Sequence, residues 1–311
     1  MDEEEKKDLL RILSHAYDQK DLDGLVFLDI QKIFYYVQER LDDSNNITDL
    51  LQYYWYIDGC MSDTVEEAVG YGVNNNILSA TPTQHTQAGT WYQFDAEAPP
   101  LSESDSEDLE QALEAVEVVL SEDYNVFNEY EPKIRGLYKD APLSFQRYFK
   151  TELLWYVESF KDGDLRSRDA KEISYRVGMG ESHLPLDPRY ASFNDLYSKY
   201  MNVSQKYLDQ SDGEHSGLFV IFSSLTDDIW GLFCKQLRLC EHDSYYDTEI
   251  DKWQQDYADK EEQVMDLVLS FDKLINSEFP DNNESSDRAP ESSGWGAVAE
   301  AYLSDAGAQS D

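Results

Sequence analysis

A few groups of residues in this chain have types that could do chemistry. Arg166, Arg168, Lys171 and Arg176 set four cations within eleven positions. Such a patch suits a phosphate or an acidic partner surface, because guanidinium groups bind paired oxygens in a fork. Cys234, Cys240 and His242 have metal-ligand types within nine positions, but Cys-x5-Cys-x-His is not a zinc spacing. Cys240 also falls on an apolar helical stripe, which predicts a buried structural cysteine. Asp243, Asp247, Glu249 and Asp251 offer oxygens for a hard cation without the glycine turn of an EF-hand, so a solvated loop is expected. His183 follows Gly178-Met179-Gly180-Glu181-Ser182, yet Gly-x-Ser-x-Gly is absent. A P-loop and Gly-x-Gly-x-x-Gly are absent too. No catalytic residue, metal site or cofactor is therefore expected.

The cations stand out because the rest of the chain is so acidic. Among 311 residues, 64 Asp and Glu face 25 Lys and Arg, a formal charge of −39. Residues 133–176 run against this trend with ten basic positions (Lys133, Arg135, Lys139, Arg147, Lys150, Lys161 and the four above) among seven acidic ones. Two readings of them stay open. They form a patch for phosphate or an acidic partner, or they pair with carboxylates of the same chain, including the acidic 101–131 stretch. The second is the expectation, since Lys and Arg spaced among acids mostly form solvated ion pairs. Acid spread through nearly every segment, rather than gathered in a tail, predicts a cytoplasmic protein of a halophilic archaeon or its virus. In molar salt the Debye length is about 3 Å, so partners must be held by apolar burial and short contacts.

Positioning any of these groups requires a fold, and the pattern is mainly α. Leu9, Leu10, Leu13 and Tyr17 share one helical face, and Ile30, Ile33, Phe34, Val37 and Leu41 another. Asp63 and Glu66 frame a capping-box-like start, with Ser62 a competing N-cap, to a helix burying Val65, Ala68 and Val69. It ends near Gly72, and Asn74-Asn75-Asn76 supplies turn chemistry. Ile77–Thr81 and Thr90–Phe94 are rich in β-formers and read as a hairpin. Residues 1–95 therefore form a winged-helix-like domain of three helices plus a β-hairpin. Residues 96–106 are a polar linker. Residues 107–277 make a helical domain, with helices marked by Leu109 to Leu120, Phe145 to Phe160, Leu225 to Leu237 and Ile250 to Phe271, and an irregular stretch at 177–192 carrying Gly178 and Gly180. Residues 278–294 are disordered by composition. Beyond them Trp295, Val298, Ala299, Tyr302 and Leu303 sit at i, i+3, i+4, i+7 and i+8, a short amphipathic helix that fits a groove on a partner or on its own protein. Apolar runs stop at about five residues, so no membrane span is expected.

Gln31-Lys32-Ile33-Phe34, then Tyr54-Trp55-Tyr56 leading to Gly59-Cys60-Met61-Ser62, then the helix ending in Gly72-Val73 before Ile77-Leu78, resembles the Panacea (SocA-type antitoxin-like) winged-helix group over residues 24–95. Cys60 stands where that group has proline. The resemblance implies regulatory or antitoxin-like interaction and brings no catalytic residues. A winged helix usually reads DNA with its third helix, backed by Lys and Arg on phosphates. Yet residues 41–132 contain no Lys or Arg and 20 acidic residues. The leading expectation is thus a non-enzymatic protein-interaction or regulatory protein with a protein partner. A DNA-binding regulator contacting phosphate through residues 133–176 is the second reading, and an enzyme in the helical domain the third.

Overall fold

The computed structural model describes residues 1–20, 24–57, 59–82, 90–95, 106–122, 141, 143–160, 165–210 and 216–279. The protein is mainly helical with small antiparallel sheets. Two compact units divide it: Met1–Arg147 with Gly231–Asp259, and Tyr148–Trp230 with Lys260–Asp311.

In the first unit, α1 (Glu3–Lys20) starts on Asp2, whose Oδ1 accepts from the N–H groups of Glu4 and Glu5 at 2.8 and 2.9 Å. β1 (Leu25–Val26) leads into α2 (Phe27–Gln38) and α3 (Asn46–Leu50), the latter capped by Asn45. A hairpin follows, β2 (Tyr54–Tyr56) and β3 (Gly59–Met61), turning at Gly59, whose φ of 123° favours glycine. Then come α4 (Asp63–Asn74), β4 (Leu78–Pro82), β5 (Thr90–Phe94) and α5 (Glu107–Glu122). The sheet order is β1-β5-β4, with Leu25 opposite Tyr92 and Ala80 opposite the same residue. Leu10, Leu13, Ile33, Phe34, Val65, Val69, Leu78 and Val116 meet in one core.

The two ends of α4 show where local signals hold and where they do not. At its C-terminus Asn76 takes φ 55°, and the Ile77 N–H reaches the Gly72 carbonyl at 2.8 Å, a Schellman closure that suits asparagine. At its N-terminus the expected Asp63–Glu66 box does not form. Ser62 is the N-cap residue, but its hydroxyl bonds the Thr64 hydroxyl at 2.7 Å instead of capping. The Asp63 N–H donates to the Tyr246 hydroxyl at 3.2 Å, a partner 183 residues away. A tertiary contact thus replaces the local cap.

Gln31 ties α2 to the start of α4. It is fully buried, its Nε2 donates to the Ser62 carbonyl at 2.9 Å, and its Oε1 accepts from the Ser62 N–H at 3.0 Å. The side chain thereby satisfies both backbone groups at the start of α4. Replacing it with leucine of similar volume strands both, and each stranded buried group costs about 1–3 kcal/mol. Gln31→Leu is expected to lower unfolding free energy by about 2 kcal/mol, read from urea melts. An unchanged midpoint would show the pair to be dispensable.

α5 packs on α1 and α2 within this first unit, although the pattern assigned it to a separate helical domain starting at 107. Its apolar face (Leu109, Ala112, Val116, Val119) joins the core of α1, and the Asn45 amide bonds the Asp108 carbonyl and Gln111 Oε1, both at 3.1 Å.

The stretch Gly231–Asp259 completes the first unit. Asp243 pairs with Tyr53 twice, its N–H on the Tyr53 carbonyl at 3.1 Å and its Oδ2 under the Tyr53 N–H at 2.7 Å. His242 lies across from Tyr54, so residues 241–243 cover the free edge of β2. Arg238 sits 4.5 Å from the Trp253 ring and 5.0 Å from that of Tyr56, and bonds Asp256 at 3.2 Å.

The short helix α6 (Ser144–Tyr148) ends as the second unit begins at Tyr148, and that unit takes in Phe149–Leu154, a π-helical stretch, the short α7 (Trp155–Glu158), α8 (Ser167–Glu181), a 3-10 turn (Pro188–Tyr190) and α9 (Ala191–Gln210). α10 (Ser216–Cys240) and α11 (Ile250–Glu278) each contribute to both units. α8 runs straight through Gly178 and Gly180, where the sequence predicts irregular chain. The glycines make room for α9: a methyl at Gly180 would lie 1.9 Å from the Tyr197 hydroxyl, and one at Gly178 2.7 Å from Gln205 Nε2. Phe193, Tyr197, Tyr200 and Tyr207 form the buried face of α9, with Tyr200 bonded to the Thr226 hydroxyl at 2.8 Å. Among the described residues one helix, Gly217–Cys240, is long and apolar enough to cross a membrane, and it is mostly buried within the protein. Its window of composition qualifies even though its unbroken apolar runs are short.

Candidate anion-binding cleft

The basic patch lies in the second unit, beside the π-helical stretch. A π turn widens the helix and is common where side chains must be re-aimed. Here it places Glu152 against α8: Arg176 Nη1 donates to the Glu152 carbonyl at 2.9 Å and to its carboxylate at 3.1 Å. Arg176 Nε also bonds Glu172 at 2.8 Å, one turn back on α8, and the guanidinium lies 4.5 Å from the Tyr156 ring. The Tyr148 hydroxyl donates to the Arg176 carbonyl at 3.0 Å while its ring stacks on His183 at 4.4 Å. That stacking gives His183 an aromatic neighbour.

Around Arg176 opens a cleft of about 270 Å³, lined by Tyr156, Arg166, Arg168, Asp169, Glu172 and Arg176. Arg166 precedes α8 in extended conformation, and its carbonyl accepts the Asp169 and Ala170 N–H groups at 2.8 and 3.0 Å. Burial raises the Tyr156 phenol, and Asp169 and Glu172 add to this against the opposing Arg176 and Arg168. The phenol is therefore a neutral hydrogen-bond donor at the edge of the cleft.

The four expected patch residues split into two kinds. Arg176 is committed to Glu152 and Glu172 and braces the π turn, so it shapes the cleft more than it offers free charge. Arg166, Arg168 and Lys171 are exposed, and their side chains make no ion pair or hydrogen bond among the described residues. Internal pairing, the sequence-based expectation, thus holds for Arg176, while for the other three no such partner lies among the described residues, which leave out 101–105 and 123–131 of the acidic stretch. Lys171 lies outside the cleft lining but shares a helix face with Arg168 and with Tyr175, which is 62% exposed. Elsewhere in the segment Arg147 bonds the Ala141 carbonyl, and Lys150 lies 5.5 Å from the Trp230 ring. Lys133, Arg135, Lys139 and Lys161 lie outside the described residues, as do Trp295, Val298, Ala299, Tyr302 and Leu303.

The remaining candidates are placed apart from any ligand geometry. Cys234 is buried, whereas Cys240, expected to be buried, is half-exposed and accepts from Gln236 Nε2 at 3.4 Å. His242 Nδ1 engages the Arg238 carbonyl at 3.0 Å. Among the described residues no group of three or more His, Cys, Asp or Glu side chains is positioned to hold a metal. In the first unit the outer face of α4 carries Asp63, Glu66 and Glu67, all exposed. The nearby lysines of α1 are engaged, Lys6 with Glu67 at 2.6 Å and Lys7 with Glu3 at 2.7 Å.

Sequence reasoning missed Tyr156 and Glu152. The Glu172/Arg176 pair was readable as an i, i+4 ion pair, but no local signal announces a π turn or the carboxylate it presents. No family model, curated protein or solved structure matches the chain.

Proposed function

We propose that this chain is a non-enzymatic regulatory protein, antitoxin-like in type, that holds an acidic protein partner through the α8 face. The carrying observation is that Arg166, Arg168 and Lys171 stand exposed, with no ion pair or hydrogen bond from their side chains among the described residues, on a chain with 64 acidic residues. Three exposed cations on one short segment of so acidic a chain favour an external anion. The number of cations selects the partner. Three phosphate contacts on duplex DNA give a salt slope of about −2.7, roughly a 40-fold loss between 50 and 200 mM salt. Nucleic acid would not stay bound through so few contacts in molar salt, whereas an acidic protein surface can add apolar contact at Tyr175 and Tyr156.

The first unit fits a winged helix in this reading. Its order α1-β1-α2-α4-β4-β5 and its sheet order β1-β5-β4 match that topology, with α3 and the β2–β3 hairpin inserted before α4. Two of the three segments carrying the Panacea-group resemblance are joined by the Gln31–Ser62 bonds, which supports reading them as one motif. Its helix α4 presents carboxylates where a duplex requires cations, so the module serves packing or protein contact.

The test is affinity purification of the full chain from a high-salt host, beside Arg166→Glu/Arg168→Glu/Lys171→Glu, with mass spectrometry and nucleic-acid detection. The variant is expected to lose a specific protein partner at unchanged melting temperature. Equal recovery with the variant overturns the reading, and a nucleic acid in place of a protein would replace it with the DNA-binding one.

A further inference from the structure

The first unit holds a second hollow with opposite chemistry. Tyr35, Tyr53 and Trp55 line a cavity of about 490 Å³. Their rings meet edge to face, Tyr35–Tyr53 at 5.4 Å and Tyr35–Trp55 at 6.3 Å between centroids. Glu39, Asp43, Glu241 and Asp243 share the lining, and no Lys or Arg does. The walls come from segments far apart in the chain: α2, the β2–β3 hairpin, and residues 241–243, which are pinned to β2 through the Tyr53–Asp243 bonds. Chain-wide acidity would scatter carboxylates anywhere. Here they line the same hollow as three aromatic rings, with His242 the one basic side chain among the lining residues.

The ionisable groups of the wall sense this charge. Burial, then the Glu39 and Asp243 carboxylates, push the Cys60 thiol up, against a lowering hydrogen bond from Tyr35. Tyr35 is raised by burial and by Cys60 and Glu39, and Tyr53 by burial with Asp243 among the lesser causes. All three stay neutral near pH 7, so the carboxylates set the charge.

We infer that this cavity receives an organic cation, a guanidinium or alkylammonium group, held against the aromatic rings and the carboxylates. The rings attract a weakly hydrated cation through their negative faces. In molar salt, where free charges are screened beyond about 3 Å, that contact separates an organic cation from potassium, which keeps its water. An anion is repelled, and a neutral ligand would desolvate the carboxylates with no return. A free amine or the basic side chain of another protein would supply the same group.

The full chain is titrated calorimetrically in molar KCl with agmatine, with N-acetyl-arginine amide and with the neutral N-butylurea. Both cations are expected to bind and the urea not to. Stronger agmatine binding identifies a small-molecule ligand, and stronger binding of the arginine amide identifies a protein side chain. Glu39→Gln is expected to weaken cation binding about tenfold. Glu39 is exposed and its carboxylate makes no hydrogen bond among the described residues, so the variant keeps its fold. Trp55→Leu, checked for an intact melt, removes the ring contact and should weaken binding likewise. Absence of heat with both cations, equal binding of N-butylurea, or unchanged affinity in Glu39→Gln and Trp55→Leu together overturns the assignment.

Discussion

Titrated upward from neutral pH, the protein is expected to keep its stability to about pH 9 and then lose it steeply. Cys60, Tyr53 and Tyr197 are all raised well above their ordinary values of 9.0 for the thiol and 10.0 for the phenols, and burial is the first cause in each. Tyr200, fully buried, is raised for the same reason. A raised acid keeps its proton in the folded state while the unfolded chain releases it. Its stabilising contribution is complete below the unfolded pKa and disappears as pH climbs toward the folded value. Each such phenol contributes a slope of about 1.4 kcal/mol per pH unit above pH 10, so Tyr53, Tyr197 and Tyr200 together give about 4 kcal/mol per unit. Against a net stability of about 5–15 kcal/mol, about one to four units suffice for unfolding. Because burial rather than surface charge causes the shifts, molar KCl should not abolish the transition. Melting temperature against pH, recorded with phenolate absorbance, checks it. Smooth ionisation of every tyrosine near pH 10 with unchanged ellipticity would sink the prediction.

Gly180→Ala is the point substitution expected to do most damage. The new methyl would sit 1.9 Å from the Tyr197 hydroxyl and 2.8 Å from its Cζ, closer than atoms can approach. Tyr197 cannot swing away cheaply, since it is fully buried, donates to the Val177 carbonyl at 2.8 Å and packs on Phe149 at 6.2 Å. Overpacking costs about 1–3 kcal/mol and the broken buried hydrogen bond about 1–3 more, so a loss of about 3–5 kcal/mol is expected. Tyr197→Phe removes the clashing oxygen, so the double variant should be less destabilised than the sum of the singles. Additive losses would show that α8 and α9 do not meet as described. The same contact holds α8 in place, so recovery of the partner proposed for Arg166 and Arg168 should fall with it.

The helices of the first unit were readable because each has one apolar face: Leu9, Leu10 and Leu13 on α1, Ile30, Ile33 and Phe34 on α2, Val65 and Val69 on α4. The β4–β5 hairpin was readable from its β-formers. β1, two residues long, was not, because its pairing with Tyr92 and Trp91 is its only distinguishing feature. The hairpin at Tyr54–Met61 was hidden in an aromatic run. Gly178 and Gly180 suggested a break because helix propensity counts glycine as a cost, whereas their role lies in the neighbouring helix. For the sites, the segment carrying the cleft was legible as a charge anomaly, and which cations lack a partner among the described residues was not. The aromatic hollow was invisible, since Tyr53 and Asp243 are 190 residues apart.

That separation governs how the chain comes off the ribosome. Among the described residues the outer edge of β2 is closed by 241–243, and the whole stretch 148–230 is translated in between. At about 5–20 residues per second, the nascent N-terminal module carries an unsatisfied strand for roughly 10–40 s before its last piece emerges. Until then it is a sticky intermediate, and a gene fragment ending near residue 147 would stay one.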